Sequence, residues 1–171
     1  MEEEIIGKID LREYVTPNDE LIVKMANELT VEEAYYYLRD KIGYYTEEKD
    51  YWKTPRQTLL DGWGDCFDKS MVLQSYLMAK GIPSYVKFVF LPTEFSGHAY
   101  VVAYYNGEEI PLDTTCVSCE FGQAPDMPEI LVATFDGENL DVVNDRLWKL
   151  LTLSVRETIK ERSKVADVVI V

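Results

Sequence analysis

From Thr30 onward the apolar positions Val31, Ala34, Tyr35, Leu38 and Ile42 recur at the spacing of one helix face. Thr30 stands before them as an N-cap with Glu33 three residues on, a capping box, so the pattern predicts an amphipathic helix. Tyr44 to Trp52 mixes aromatic and charged residues without a period. Thr54-Pro55 then opens a short helix through Leu60, which Gly62 and Gly64 break in a tight turn. Cys66 to Lys80 is apolar on several faces, as a core helix is, and Gly81 and Pro83 close it.

Beyond Pro83 the pattern changes. Tyr85 to Leu91, His98 to Tyr105 and Glu109 to Leu112 are rich in β-branched and aromatic residues, and Asn106-Gly107 is a two-residue hairpin signal. Ile130 to Phe135 reads as a further strand and Asp136-Gly137 as a turn. Leu140 to Ile159 reads as a long helix with Leu147, Leu150, Leu151 and Val155 on one side. Val165 to Val171 is an edge strand or a loose apolar tail. Helices first and an antiparallel sheet afterwards predict an α+β fold. The expected organisation is a single domain over residues 1–171, with its core at about 30–135 and the C-terminal helix and strand in 140–171.

Charge narrows the partners. With 17 basic against 31 acidic residues the formal net charge is -14, which repels phosphate backbones and anionic lipid, so neither nucleic acid nor a membrane surface is expected as a partner. The same acidity keeps a domain soluble whatever it does. The acidic start Met1-Glu2-Glu3-Glu4 does not resemble a secretory leader, and no apolar run approaches the ~20 residues that span a bilayer. Three cysteines do not suggest a disulfide framework, which together with these features points to a cytoplasmic protein with free thiols.

Gly62-Trp63-Gly64-Asp65-Cys66 places a cysteine in the first turn of a helix, where unpaired amides and the positive end of the dipole favour an anion, the reactive form of a thiol. Asp65 is the expected N-cap, and its charge beside the sulfur opposes that ionisation. A buried structural cysteine is the competing reading of this segment. His98 is the sole histidine, so an imidazole base can only be this residue. The hairpin at Asn106-Gly107 returns the next strand antiparallel and lays Asp113 close to His98, in the place of the group that orients a catalytic imidazole. Taken singly, His98 is also a polar strand end and Asp113 a turn residue before Thr114.

The run Trp52-Lys53-Thr54-Pro55-Arg56-Gln57-Thr58-Leu59-Leu60, the Gly64-Asp65-Cys66 that opens a helix ending at Gly81-Ile82-Pro83, the Gly97-His98-Ala99-Tyr100 strand and Pro111-Leu112-Asp113-Thr114-Thr115 resemble the core of transglutaminase-like cysteine enzymes over roughly Leu38 to Met127. The resemblance implies a papain-like fold in which the cysteine helix packs on the sheet bearing the other two residues. It also implies that Cys66 is nucleophile, His98 base and Asp113 orienter. The family includes protein crosslinking enzymes, thiol proteases, peptide N-glycanases and bacterial periplasmic proteases, so acyl transfer is implied far more firmly than any substrate.

On this reading a Cys66 thioester goes to water or to an amine, and the oxyanion is held by the Cys66 backbone N–H with a second donor, for which Gln57 and Trp52 are candidates. Some relatives bind calcium through acids beside the cysteine. Asp65 and Asp68 flank Cys66 here, but Phe67 follows it where the calcium-binding bacterial proteases have an acid, so these are weak candidates and no metal or other cofactor is expected. Cys116 and Cys119 have the spacing of half a zinc site or a redox pair, and two packed thiols in a loop is the preferred reading.

The function expected is therefore a cysteine peptidase or amidase acting on a peptide or protein. Protein-glutamine amine transfer is the alternative within the same chemistry, and a non-catalytic binding module that retains the fold is the alternative outside it. The oligomeric state is not expressed in the sequence.

Overall fold

The computed structural model describes residues 10–45 and 52–152. The expected strand at Val165 to Val171, and the part of the expected helix beyond Thr152, lie outside them. A short 3-10 turn, Leu11–Tyr14, leads into α1 (Glu20–Glu28), α2 (Val31–Asp40), β1 (Gly43–Tyr44), α3 (Pro55–Asp61), β2 (Trp63–Gly64) and α4 (Cys66–Ala79). Strands β3 (Ser84–Leu91), β4 (Ser96–Tyr105), β5 (Glu108–Leu112), β6 (Ile130–Phe135) and β7 (Leu140–Val142) follow, then α5 (Asp145–Leu151). The five long-range strands form one antiparallel sheet in the order β5-β4-β3-β6-β7, while β1 and β2 pair parallel with each other. This is the α+β arrangement the hydrophobic pattern predicts.

The core is organised around α4, in which every residue from Phe67 to Leu77 is buried. A helix apolar on all sides would be held by packing alone, yet this one also carries buried polar side chains, and each reaches the backbone of a different neighbour. Lys69 Nζ donates to the Ile42 carbonyl at 2.8 Å, Ser70 Oγ to Ala99 O at 3.3 Å, Gln74 Nε2 to Phe135 O at 2.9 Å and Tyr76 OH to Leu29 O at 2.6 Å, while Ser75 Oγ accepts from Thr16 N at 3.0 Å. Burying such groups unpaired is costly, so each bond fixes one particular position for the segment it meets. The rotation and height of α4 are set from five directions at once, and its first residue is Cys66.

The hairpin forms where expected. Asn106 and Gly107 both adopt left-handed φ values, 52° and 83°, and Tyr105 pairs with Glu108 across the turn. Two segments differ from the expectation. Leu140 to Val142 pairs with Ala133 to Phe135 as an edge strand, and the helix starts only at Asp145, where Asn144 Oδ1 accepts from Leu147 N at 3.1 Å. The apolar spacing from Leu147 is helical, but the three residues before the cap complete the sheet, a long-range contact that local periodicity does not carry.

The second difference is at the N-terminus. The helix Glu20–Glu28 lies ahead of the expected core, capped by Asp19 and burying Ile22, Met25 and Ala26, and with Leu11 at one end and Trp148 at the other the core extends beyond residues 30–135.

β2 approaches α4 so closely that a methyl group on Gly64 would stand 2.8 Å from Asp68 Cβ and 3.0 Å from Thr58 Cγ2. Gly64→Ala is therefore expected to cost about 1–3 kcal/mol through overpacking, read as a lower denaturant midpoint with an unchanged m-value. A midpoint equal to that of the wild type would show that the two elements separate freely.

Candidate active site

The turn that presents Cys66 is built by carboxylates. Asp65 Oδ1 accepts from Asp68 N at 2.8 Å, and Asp68 Oδ2 accepts from Asp65 N at 3.0 Å, a reciprocal capping box around the cysteine. Asp68 Oδ1 also takes Lys53 N at 2.9 Å, which ties the segment leading into α3 to the same turn. Lys53 is buried as well, its ammonium bonded to Asp61 Oδ2 at 2.9 Å and to Trp63 O at 2.7 Å. Asp65 and Asp68 thus serve as helix caps. With both Asp68 oxygens taken by backbone amides and Phe67 beside the cysteine, the pair does not fit a calcium site, and among the described residues no group of three His, Cys, Asp or Glu side chains is arranged to hold a metal.

Opposite this turn stands the sole histidine. The hairpin register, Val101 opposite Leu112, brings Asp113 beside the beginning of β4, and His98 Nε2 lies 2.7 Å from Asp113 Oδ2. The other Asp113 oxygen accepts from Thr115 N at 3.1 Å and Thr115 Oγ1 at 2.8 Å, and its carbonyl receives Tyr35 OH at 3.2 Å. Asp113 is almost wholly buried. Burial acts to raise its pKa, but the bond and charge of His98 and the two Thr115 donors prevail and hold it below the usual 3.8.

For His98, burial acts to lower the pKa. Hydrogen bonds to Asp113 and to Cys66, with the charges of both, outweigh it and raise the imidazole from 6.5 to about 10. With Nε2 engaged by Asp113, Nδ1 is the nitrogen left for the sulfur. The three residues singled out from the sequence are therefore brought together, and the ring is held in its protonated form between Asp113 and Cys66.

Two cavities border His98. One, of about 390 Å³, is bounded by Tyr44, His98, Tyr100, Asp113, Met127 and Glu129 among others. Tyr100 OH donates to Glu129 Oε1 at 2.7 Å, and Lys87 Nζ lies 3.4 Å from Glu129 Oε2, so the carboxylate at this cavity is paired. The other, of about 310 Å³, joins Cys66 and His98 to Trp52, Phe67, Trp148 and Leu151 and is lined by rings and aliphatic chains.

Of the two oxyanion candidates, Trp52 borders the second cavity with its ring stacked on Phe67 at 3.9 Å between centroids. Gln57 is exposed on α3 and belongs to the lining of neither cavity. Tyr44, Glu129 and Trp148 were not singled out from the sequence, because each reaches the cleft through a long-range pairing rather than through a local motif.

Cys116 and Cys119 form a disulfide, contrary to the reading of them as packed free thiols. The chain turns tightly here, with Cys116 N bonded to Asp113 O and Cys119 N to Cys116 O, and the two Cα atoms are 5.3 Å apart, within bridging distance. The free-thiol count used to argue for a reducing compartment is thus one, Cys66, rather than three. No described helix is long and apolar enough to cross a membrane.

The family model of the transglutaminase-like superfamily matches residues 21–114, more than half of the chain and all three residues of the Cys–His–Asp constellation. The chain belongs to that superfamily. Solved structures agree on the fold of this transglutaminase-like domain. Calcium-bound LapG of Legionella pneumophila superposes with a TM-score of 0.57 and 21% identity over 72% of this chain and 75% of its own, and the EGTA-treated form with 0.57 and 19% over 81% and 84%. A proposed cysteine protease of Cytophaga hutchinsonii has a TM-score of 0.57 and 15% identity over 84% of this chain and 49% of its own. No curated protein matches the sequence. Membership of the superfamily supports a cysteine-protease-like function at that level.

Because folding raises the His98 pKa from 6.5 to about 10, the folded state binds that proton more tightly than the unfolded chain. The stability gained is fully present below 6.5 and is lost as pH rises through about 10. Denaturant unfolding of wild type and His98→Gln across that window should show the gap between them narrowing toward the alkaline end. A gap that stays constant or widens would mean that the imidazole is not held charged.

Proposed function

We propose that the protein is a thiol-dependent hydrolase of peptide or protein amides that works through a thioester on Cys66. The observation that carries this is the joint placement of one free thiol at a capped helix N-terminus and one imidazole that contacts both it and a buried carboxylate. Structural ion pairs also bury histidine and aspartate, but they do not need a free thiol beside the ring or a cavity that borders both thiol and ring.

In this reading the proton of the thiol already rests on the His98 imidazolium when Cys66 Sγ attacks the substrate carbonyl carbon. The tetrahedral oxyanion collapses, the C–N bond breaks, and the imidazolium gives its proton to the departing amine. Water then attacks the thioester with the now neutral His98 as base, the C–S bond breaks, and the acid is released with the proton back on His98 beside the Cys66 sulfur. Asp113, ionised and fixed by Thr115, keeps Nε2–H pointed at itself and stabilises the imidazolium between the two steps. The aromatic and aliphatic cavity beside Cys66 supports substrates with an apolar side chain next to the reacting amide.

Alkylation by iodoacetamide, with each modified thiol mapped, tests the reading first. Cys66 should react in the native protein, and His98→Ala should slow that reaction by about 10-fold or more. Turnover of a peptide substrate should vanish in Cys66→Ala and fall about 10²- to 10⁴-fold in Asp113→Ala. A native Cys66 that does not react would leave a binding module that keeps the fold. With a glutamine peptide and a labelled primary amine, incorporation of label would instead identify amine transfer.

A further inference from the structure

The thioester reading leaves one half of the oxyanion site without an owner, since Gln57 faces away from the cleft. We propose that the Tyr44 hydroxyl is the second donor, acting with the backbone N–H of Cys66. The inference rests on the reading above and adds a catalytic residue to it.

Tyr44 belongs to the two-residue strand β1, which pairs parallel to β2 and sets Tyr44 opposite Gly64, two residues ahead of the nucleophile. Gly43 N donates to Gly62 O at 2.9 Å and Tyr45 N to Gly64 O at 3.3 Å, and the buried Lys69 of the first turns of α4 holds Ile42 O at 2.8 Å. The same helix end that presents Cys66 thus anchors the strand that presents Tyr44, so the two move as one unit. A donor fixed in advance to the nucleophile's own support is what stabilisation of a developing charge requires, because nothing has to reorganise during the reaction. The side chain lines the cavity that also holds His98 and Asp113.

The chemistry of the phenol agrees. About half of the residue is exposed, 48%, yet its hydroxyl end is desolvated, and that burial together with the charges of Cys66, Asp65 and Asp113 opposes ionisation. The group is thereby held as O–H, a donor, beyond the ordinary range of a phenol. Trp52, the other candidate, has its ring stacked on Phe67 and edge-on to Tyr14, an arrangement that makes it a wall of the second cavity.

Two reagents separate a donor to the oxyanion from a residue that merely shapes the site. p-Nitrophenyl acetate acylates a thiol through a tetrahedral oxyanion, whereas iodoacetamide alkylates it by displacement at a saturated carbon and forms none. Tyr44→Phe should slow p-nitrophenolate release from Cys66 about 10- to 1000-fold while leaving the rate of iodoacetamide alkylation and the thermal midpoint unchanged. Unchanged p-nitrophenolate release, or an equal fall in both rates, would overturn the assignment.

Loss of release in Trp52→Phe but not in Tyr44→Phe would also overturn it and move the role to Trp52. If the wild type is alkylated at Cys66 but releases no p-nitrophenolate, the thioester reading itself fails and Tyr44 has no oxyanion to serve. That outcome is distinct from the failure of Tyr44 alone.

Discussion

The 2.7 Å contact between His98 Nε2 and Asp113 Oδ2 is the constraint on which the rest of the site depends. It couples a strand end to a strand end, and it exists only because the Asn106-Gly107 turn fixes the register of β4 against β5. A slip of one residue would send every side chain of β5 to the opposite face and take the carboxylate away from the ring. The contact also has a cost. Asp113 is nearly inaccessible to water, and a buried carboxylate without partners would be neutralised or would unfold its surroundings. Thr115 and His98 together supply enough donors to keep it charged, and the charged carboxylate in turn holds the imidazole protonated and oriented.

The second half of the constellation is held by a different device. α4 is buried along almost its entire length, and its buried polar side chains fasten it to β1, β4, β6, α1 and the segment before α1. Its N-terminus is fixed by the Asp65–Asp68 box, which also secures Lys53. Cys66 therefore stands at the end of a helix buried along its length while His98 stands on the sheet, and packing of α4 on β3 and β4 brings them together. Superposition of LapG on this frame at about one-fifth identity shows that the scaffold tolerates extensive sequence change.

How much of this was legible in the sequence follows from which contacts are local. The Thr30 and Asp65 caps, the Asn106-Gly107 turn and the apolar helix from Cys66 are written in neighbouring residues, and they led directly to Cys66, His98 and Asp113. Tyr44 was passed over because the stretch around it has no period and its position comes from parallel pairing with Trp63 and Gly64, about twenty residues away. The helix expected from Leu140 was begun too early for the same reason: an apolar run that could extend a helix was taken by the sheet edge instead. Gln57 carried the right chemistry, but the direction in which α3 presents it is a tertiary fact. The spacing of Cys116 and Cys119, with two residues between them, fits packed thiols and a bridge alike, and only the turn geometry after Asp113 decides between them.

Since the chain contains one histidine, its imidazole can be followed by nitrogen NMR without assignment ambiguity, and this tests the central coupling of His98 to Asp113 and Cys66 most directly. The imidazolium should persist well above the ordinary 6.5 and titrate at about 10, and should return toward 6.5 in Asp113→Asn. An imidazole in the wild type that loses its proton near 6.5, unaltered by Asp113→Asn, would contradict that coupling.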